Sequence, residues 1–75
     1  MLFSSKITTF GESVLSKLPL VLSALTKESI SVSVLFNMVK DNIKDIVEYL
    51  DILDCLYALG KIDYNPETRL IYYVD

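Results

Sequence analysis

Apolar side chains at Val14, Leu15, Leu18, Leu22 and Leu25 recur at intervals of three and four, the spacing that lines one face of a helix. Just ahead, Thr9 and Glu12 have the spacing of a capping box, in which each side chain satisfies a backbone N–H of the first turn. Residues 1–8, with Leu2, Phe3 and Ile7, are expected to be extended. Pro19 interrupts the periodic stretch, because inside a helix it removes the bond to the Leu15 carbonyl. Either a helix over about residues 10–26 bends at Pro19, or it starts near Leu18. The bent helix is the favoured expectation.

The pattern then changes. Ser29-Ile30-Ser31-Val32 alternates polar with apolar, as a very short strand does. Ser31 or Ser33 is placed to cap a second helix over about 32–41, with Val34, Leu35, Met38 and Val39 on its apolar positions. Asn42 is a suitable cap for a third helix over about 43–59, and Gly60 stands where a left-handed residue closes a helix. Beyond Gly60 the period falls to two. Residues 61–64 and 69–74 read as strands around the turn-forming Asn65-Pro66-Glu67-Thr68. Helix, strand, helix, helix, hairpin is the order of a winged helix-turn-helix. The expected fold is therefore α+β and mostly helical, one winged-helix-like domain over residues 1–75 with a C-terminal hairpin wing.

Composition adds a constraint. The chain has 75 residues and is 52% apolar, above the roughly 45–50% of ordinary domains. A core this small rarely supplies more than about 3–5 kcal/mol without a staple or partner. Cys55 is the one cysteine, and there is no His, so an internal disulfide is excluded and a zinc or catalytic cluster lacks its usual ligands. Either the chain has an efficient small core, or part of the apolar surface belongs to a partner. The longest charge-free stretches, Leu18–Thr26 and Ser29–Val39, fall well short of the ~20 residues that cross a bilayer. Residues 1–9 carry one Lys and no apolar signal core. A cytoplasmic protein without membrane association is expected.

The winged-helix order raises the question of DNA. The polar positions of helix 3 are Lys44, Asp45, Glu48, Asp51 and Asp54, four acids against one base, and the net charge is -3. Carboxylates facing phosphates repel, and base readout favours Arg, Lys, Asn and Gln. Direct sequence-specific nucleic-acid binding is not expected. The apolar residues of helix 3 instead cover more than half its circumference, wider than the ~100° stripe of a surface helix. Two explanations stand: helix 3 is central and covered on both sides, or the flank with Tyr49, Ile52, Leu56 and Leu59 is exposed for a partner. Asp54, at the edge of that arc, either pairs within the domain or anchors a partner. Tyr64, Tyr72 and Tyr73 cluster on the hairpin and are amphipathic enough for an interface. The candidate interaction residues are Tyr49, Ile52, Asp54, Leu56, Tyr64, Tyr72 and Tyr73. Catalysis finds no support: Gly11 and Gly60 make no phosphate loop, and Cys55 has no basic neighbour in sequence to activate it. No enzyme activity, metal or cofactor is expected.

The segment Ile52-Leu53-Asp54-Cys55-Leu56-Tyr57-Ala58-Leu59-Gly60-Lys61-Ile62-Asp63 resembles the "aLDlLYaLGlIe" stretch near the C-terminus of small middle components of ABC-three-component systems. Glu12-Ser13-Val14-Leu15 is similar to their "eSLL" opening. Cys55 and Lys61 depart from the aliphatic residues usual there, and Pro19 interrupts the first helix. The resemblance implies a winged-helix accessory subunit joining an SMC- or Rad50-like ABC ATPase to an effector protein, in bacterial defence against phages or plasmids. Catalysis would then belong to the partners. The alternatives are a winged-helix DNA-binding regulator or antitoxin, and a self-associating module.

Overall fold

The computed structural model describes the backbone of residues 2–75 and the side chains of residues 13–75. A long helix, α1 (Leu2–Lys27), is followed by the two-residue strand β1 (Ile30–Ser31), helix α2 (Val32–Val39) and a 3-10 turn over Lys40–Asn42. Helix α3 (Ile46–Ala58) and the hairpin β2 (Ile62–Asn65) and β3 (Leu70–Tyr73) complete the chain. The three strands form one antiparallel sheet in the order β1-β3-β2. This is the expected winged-helix-like α+β architecture: three helices, a short first strand and a two-stranded wing.

The beginning of the chain differs from expectation. Residues 2–8, expected to be extended, are the first turns of α1, and the helix begins at Leu2 rather than near residue 10. Met1 and the side chains of Thr9 and Glu12 lie outside the described residues, but the backbone of residues 9–12 continues a helix already under way, so no helix starts at Thr9. Pro19 lies inside the helix and does not start it. Its side chain is exposed. The inward stripe is also rotated from the one expected: Val14, Val21 and Leu25 are buried, Leu18 and Leu22 pack against them in part, and Leu15 faces solvent.

Each later boundary has a local cause. Ser31 is the cap of α2, its hydroxyl accepting the Val34 N–H at 3.3 Å. Asp45, not Asn42, caps α3, accepting the Glu48 N–H at 2.9 Å, which moves the start of that helix to Ile46. At its other end Gly60 has φ +74°. The Gly60 N–H donates to the Tyr57 carbonyl and the Lys61 N–H to the Leu56 carbonyl, both at 3.0 Å, the paired bonds of a Schellman motif. In the wing, the Asn65 side chain accepts the Glu67 and Thr68 N–H groups. Arg69 takes a left-handed φ of 61° to close the turn.

The core lies where α1, α2, α3 and the inner sheet face meet. Strand register sets that inner face: Ile62 opposes Tyr73, Tyr64 opposes Ile71, and Ile71 opposes Ile30. Alternation sends Tyr72, Asp63 and Leu70 to the other face. Ile30, Leu35, Val39, Ile62 and Ile71 join the α1 stripe and three residues of α3 in one buried cluster.

Candidate protein-interaction site

Helix α3 is held at its first turn by Glu48. This carboxylate is buried, and it accepts hydrogen bonds from Ser13 Oγ at 2.5 Å, Lys17 Nζ at 2.5 Å and the Lys44 N–H at 2.8 Å. Ser13 and Lys17 are four residues apart and so share one face of α1. The Lys17 and Ser13 bonds, with that from the Lys44 amide, hold the Glu48 carboxyl down at about 2, against the opposing effect of burial. Its place in the first turn of α3 also sets a negative charge at the positive end of the helix. Asp45 and Glu48 thus work as a modified capping box whose Glu reaches one residue further back, to Lys44. Glu48 is not one of the solvated acids of helix 3, as its polar character suggested; it is the anchor that joins α3 to α1.

One turn further in, Tyr49 donates its hydroxyl to the Val32 carbonyl at 2.7 Å. Its ring meets Phe36 at 5.0 Å between centroids, tilted by 55°. Burial pushes the Tyr49 hydroxyl up to about 12. Tyr49, Ile52 and Leu56 are 0%, 0% and 1% exposed. Of the flank expected to be offered to a partner, Tyr49, Ile52 and Leu56 are therefore central core and are corrected from interface to core, whereas Leu59 is exposed. The physical reason is that α1 and the first wing strand, β2, pack against the buried arc, while Tyr49 is held by Val32 and Phe36 of α2.

The exposed apolar surface of α3 lies on a different arc. Ile46 is 48%, Val47 61%, Leu50 47% and Tyr57 63% exposed. At 100° per residue, Ile46, Leu50, Leu53 and Tyr57 fall within about 60° of one another, clear of the buried arc. Asp51 and Asp54 lie on the same solvent side, Asp51 half-buried and Asp54 exposed. Among the described residues Asp54 has neither an ion-pair nor a hydrogen-bond partner, so the intramolecular pairing considered for it is not formed with any of them. In the winged-helix arrangement this is the face that DNA readers turn to the major groove. Here it carries aliphatic, aromatic and acidic side chains.

A groove runs between this face and the wing, lined by Leu53, Asp54, Tyr57, Ile62, Asp63 and Tyr64 among others. Of the three hairpin tyrosines, Tyr64 is exposed and lines this groove. Tyr73 lies on the same inner face and is half-buried against the core. Tyr72 lies on the outer face, exposed. They do not form one cluster. The residues that sequence reasoning missed are Ile46, Val47, Leu50 and Tyr57. They were within the apolar arc, but periodicity alone does not say which part of an over-wide arc the rest of the fold covers.

Cys55 is a half-buried free thiol. Among the described residues, no helix is long and apolar enough to cross a membrane, and no group of three or more His, Cys, Asp or Glu could hold a metal ion.

A family model described as "ABC-three component (ABC-3C) system Middle Component 7" matches residues 3–71. No curated protein and no solved structure matches the chain significantly.

Proposed function

The chain belongs to the Middle Component 7 family of ABC-three-component systems, and we propose that it is a non-catalytic adaptor that bridges an SMC- or Rad50-like ABC ATPase and an effector protein. Membership in a multi-component system implies partner components. The bridging role, the identity of the two partners, a cytoplasmic location and a purpose in defence against phages or plasmids are parts of this proposal.

The observation that carries it is the solvent face of α3. A winged helix that reads DNA needs cations there, because phosphate contacts supply most of its grip. This one presents Ile46, Val47, Leu50 and Tyr57 beside Asp51 and Asp54. Apolar surface left in water around a small domain favours association with another protein. Tyr64 extends the candidate surface onto the wing, with an apolar ring and a polar tip.

The test is co-expression with the ATPase and third components encoded alongside the chain. Co-elution of the wild-type chain with both, and its loss on Leu50→Asp in a variant with unchanged melting, is the expected result. A wild-type chain that elutes without either component overturns the adaptor reading. Salt-sensitive retardation of a DNA duplex would instead favour the regulator or antitoxin alternative.

A further inference from the structure

The sheet has two outer edges, and they end differently. β1 is two residues long and runs straight into α2, so it offers almost no ladder to a further strand. β2, four residues long, forms the other edge. The Val74 N–H donates to the Lys61 carbonyl at 2.8 Å, which makes those two opposed residues a hydrogen-bonded pair. Such pairs alternate along an antiparallel ladder. Asp63 therefore bonds across the hairpin to Tyr72, while Ile62 and Tyr64 turn their N–H and C=O groups outward. Among the described residues, no backbone group outside the hairpin pairs with those outward groups. A side chain takes one of them: Asp63 Oδ1 accepts the Tyr64 N–H at 2.7 Å. Asp63 stands on the outer sheet face by register, and its carboxylate reaches the open edge through this bond.

An open edge of this kind is a template for a second copy of itself. Two-fold antiparallel pairing about Asp63 sets Ile62 of each copy opposite Tyr64 of the other. Every outward N–H and C=O of the strand then has a partner, and each facing pair is aromatic against β-branched, a favourable combination. The same symmetry sets Asp63 opposite Asp63 in the non-hydrogen-bonded position. There Cβ atoms stand about 4.5–5.5 Å apart, and like charges repel. Pairing also needs the Tyr64 N–H, which the carboxylate already holds. We propose that Asp63 keeps two copies of this chain from joining through β2. It acts twice, by occupying a backbone donor and by opposing its own charge. This holds whether or not α3 docks a partner component.

The test compares the full chain as wild type, Asp63→Thr and Asp63→Lys over rising concentration. Sedimentation gives the association state, and hydrogen exchange of the Ile62 and Tyr64 amides locates it. Threonine suits a strand, pairs well with itself across a ladder and carries no charge. Asp63→Thr is expected to self-associate about tenfold more tightly than wild type, with both amides gaining protection as concentration rises. Asp63→Lys alone should gain none, because like charges still face each other. An equimolar mixture of Asp63→Lys with wild type should pair, since Lys then opposes Asp, and added salt should weaken that pair. Wild-type amides that gain protection as those of Asp63→Thr do overturn the proposal. So do unchanged amides in an Asp63→Thr chain that melts as wild type does. If that variant melts early, the mixture decides, and absence of protection there overturns it. Association through α3 leaves both amides as they are, so it is not mistaken for pairing at β2.

Discussion

The inward and outward faces of α3 carry similar residues and have opposite consequences. Inward are Tyr49, Ile52 and Leu56; outward are Ile46, Val47, Leu50 and Tyr57. Hydrophobicity does not tell them apart, since each has aliphatic residues and a tyrosine. What separates them is what covers each arc and how the tyrosine hydroxyl is satisfied. Tyr49 reaches a backbone carbonyl inside the domain, whereas Tyr57 stands in solvent. One face is the reason that the domain folds, and the other is apolar area left over after it has folded.

Substitution on each side should break this symmetry. Ile52→Asp would bury an unpaired carboxylate, at a cost of several kcal/mol, comparable with all the stability of about 3–5 kcal/mol expected of so small a core. Circular dichroism should show an unfolded chain; a folded Ile52→Asp variant would mean that this arc is not core. Glu48→Ala removes the clamp between α1 and α3 and should cost about 2 kcal/mol, read as a lowered urea midpoint. The same clamp has a pH signature. Because the folded-state value of Glu48 is lowered from 4.5 to about 2, its contribution is complete above pH 4.5 and is lost as pH falls from there through about 2. Wild type should therefore lose more stability over that window than Glu48→Gln does. Gly60→Ala meets no atom within 4 Å but must hold φ +74°, so about 1 kcal/mol of backbone strain is expected and no steric clash. Smallest of all, Leu50→Asp should change stability by no more than about 0.5 kcal/mol. A large loss there would put Leu50 in the core and remove the comparison.

Much of the fold was legible because local chemistry decides it. Ser31, Gly60 and the Asn65-Pro66 turn each fix a boundary through a bond or a dihedral that only a few residue types supply. The misplaced boundaries arose where two local signals competed. Asn42 and Asp45 are both good caps, and the decision falls to Asp45 because Glu48, three residues on, is drawn to Ser13 and Lys17 across the core. Sequence proximity does not reveal partners separated by 31 and 35 positions. The Asp45-Ile46-Val47-Glu48 spacing was nonetheless a readable capping signal, equal in form to the Thr9–Glu12 pair, which lies within α1. The candidate site was legible in its helix and illegible in its face. Asp54 and Tyr64 keep their place in it, Tyr72 and Tyr73 diverge to opposite sides of the sheet, and Tyr49, Ile52 and Leu56 leave it for the core.

The burial of Tyr49 has a further consequence at the alkaline end of the scale. A phenol that titrates at about 12 in the folded chain, against an ordinary value of 10.0, makes folding weaken as pH rises from 10 through 12, because the unfolded chain releases that proton more readily. Glu48 sets the mirror-image limit in acid. Two adjacent residues, one an anion held by α1 and the other a neutral hydroxyl held by α2, therefore lose their contributions at opposite ends of the pH scale. Loss of either opens the same turn of α3, so acid and alkaline unfolding should begin at one place in the molecule.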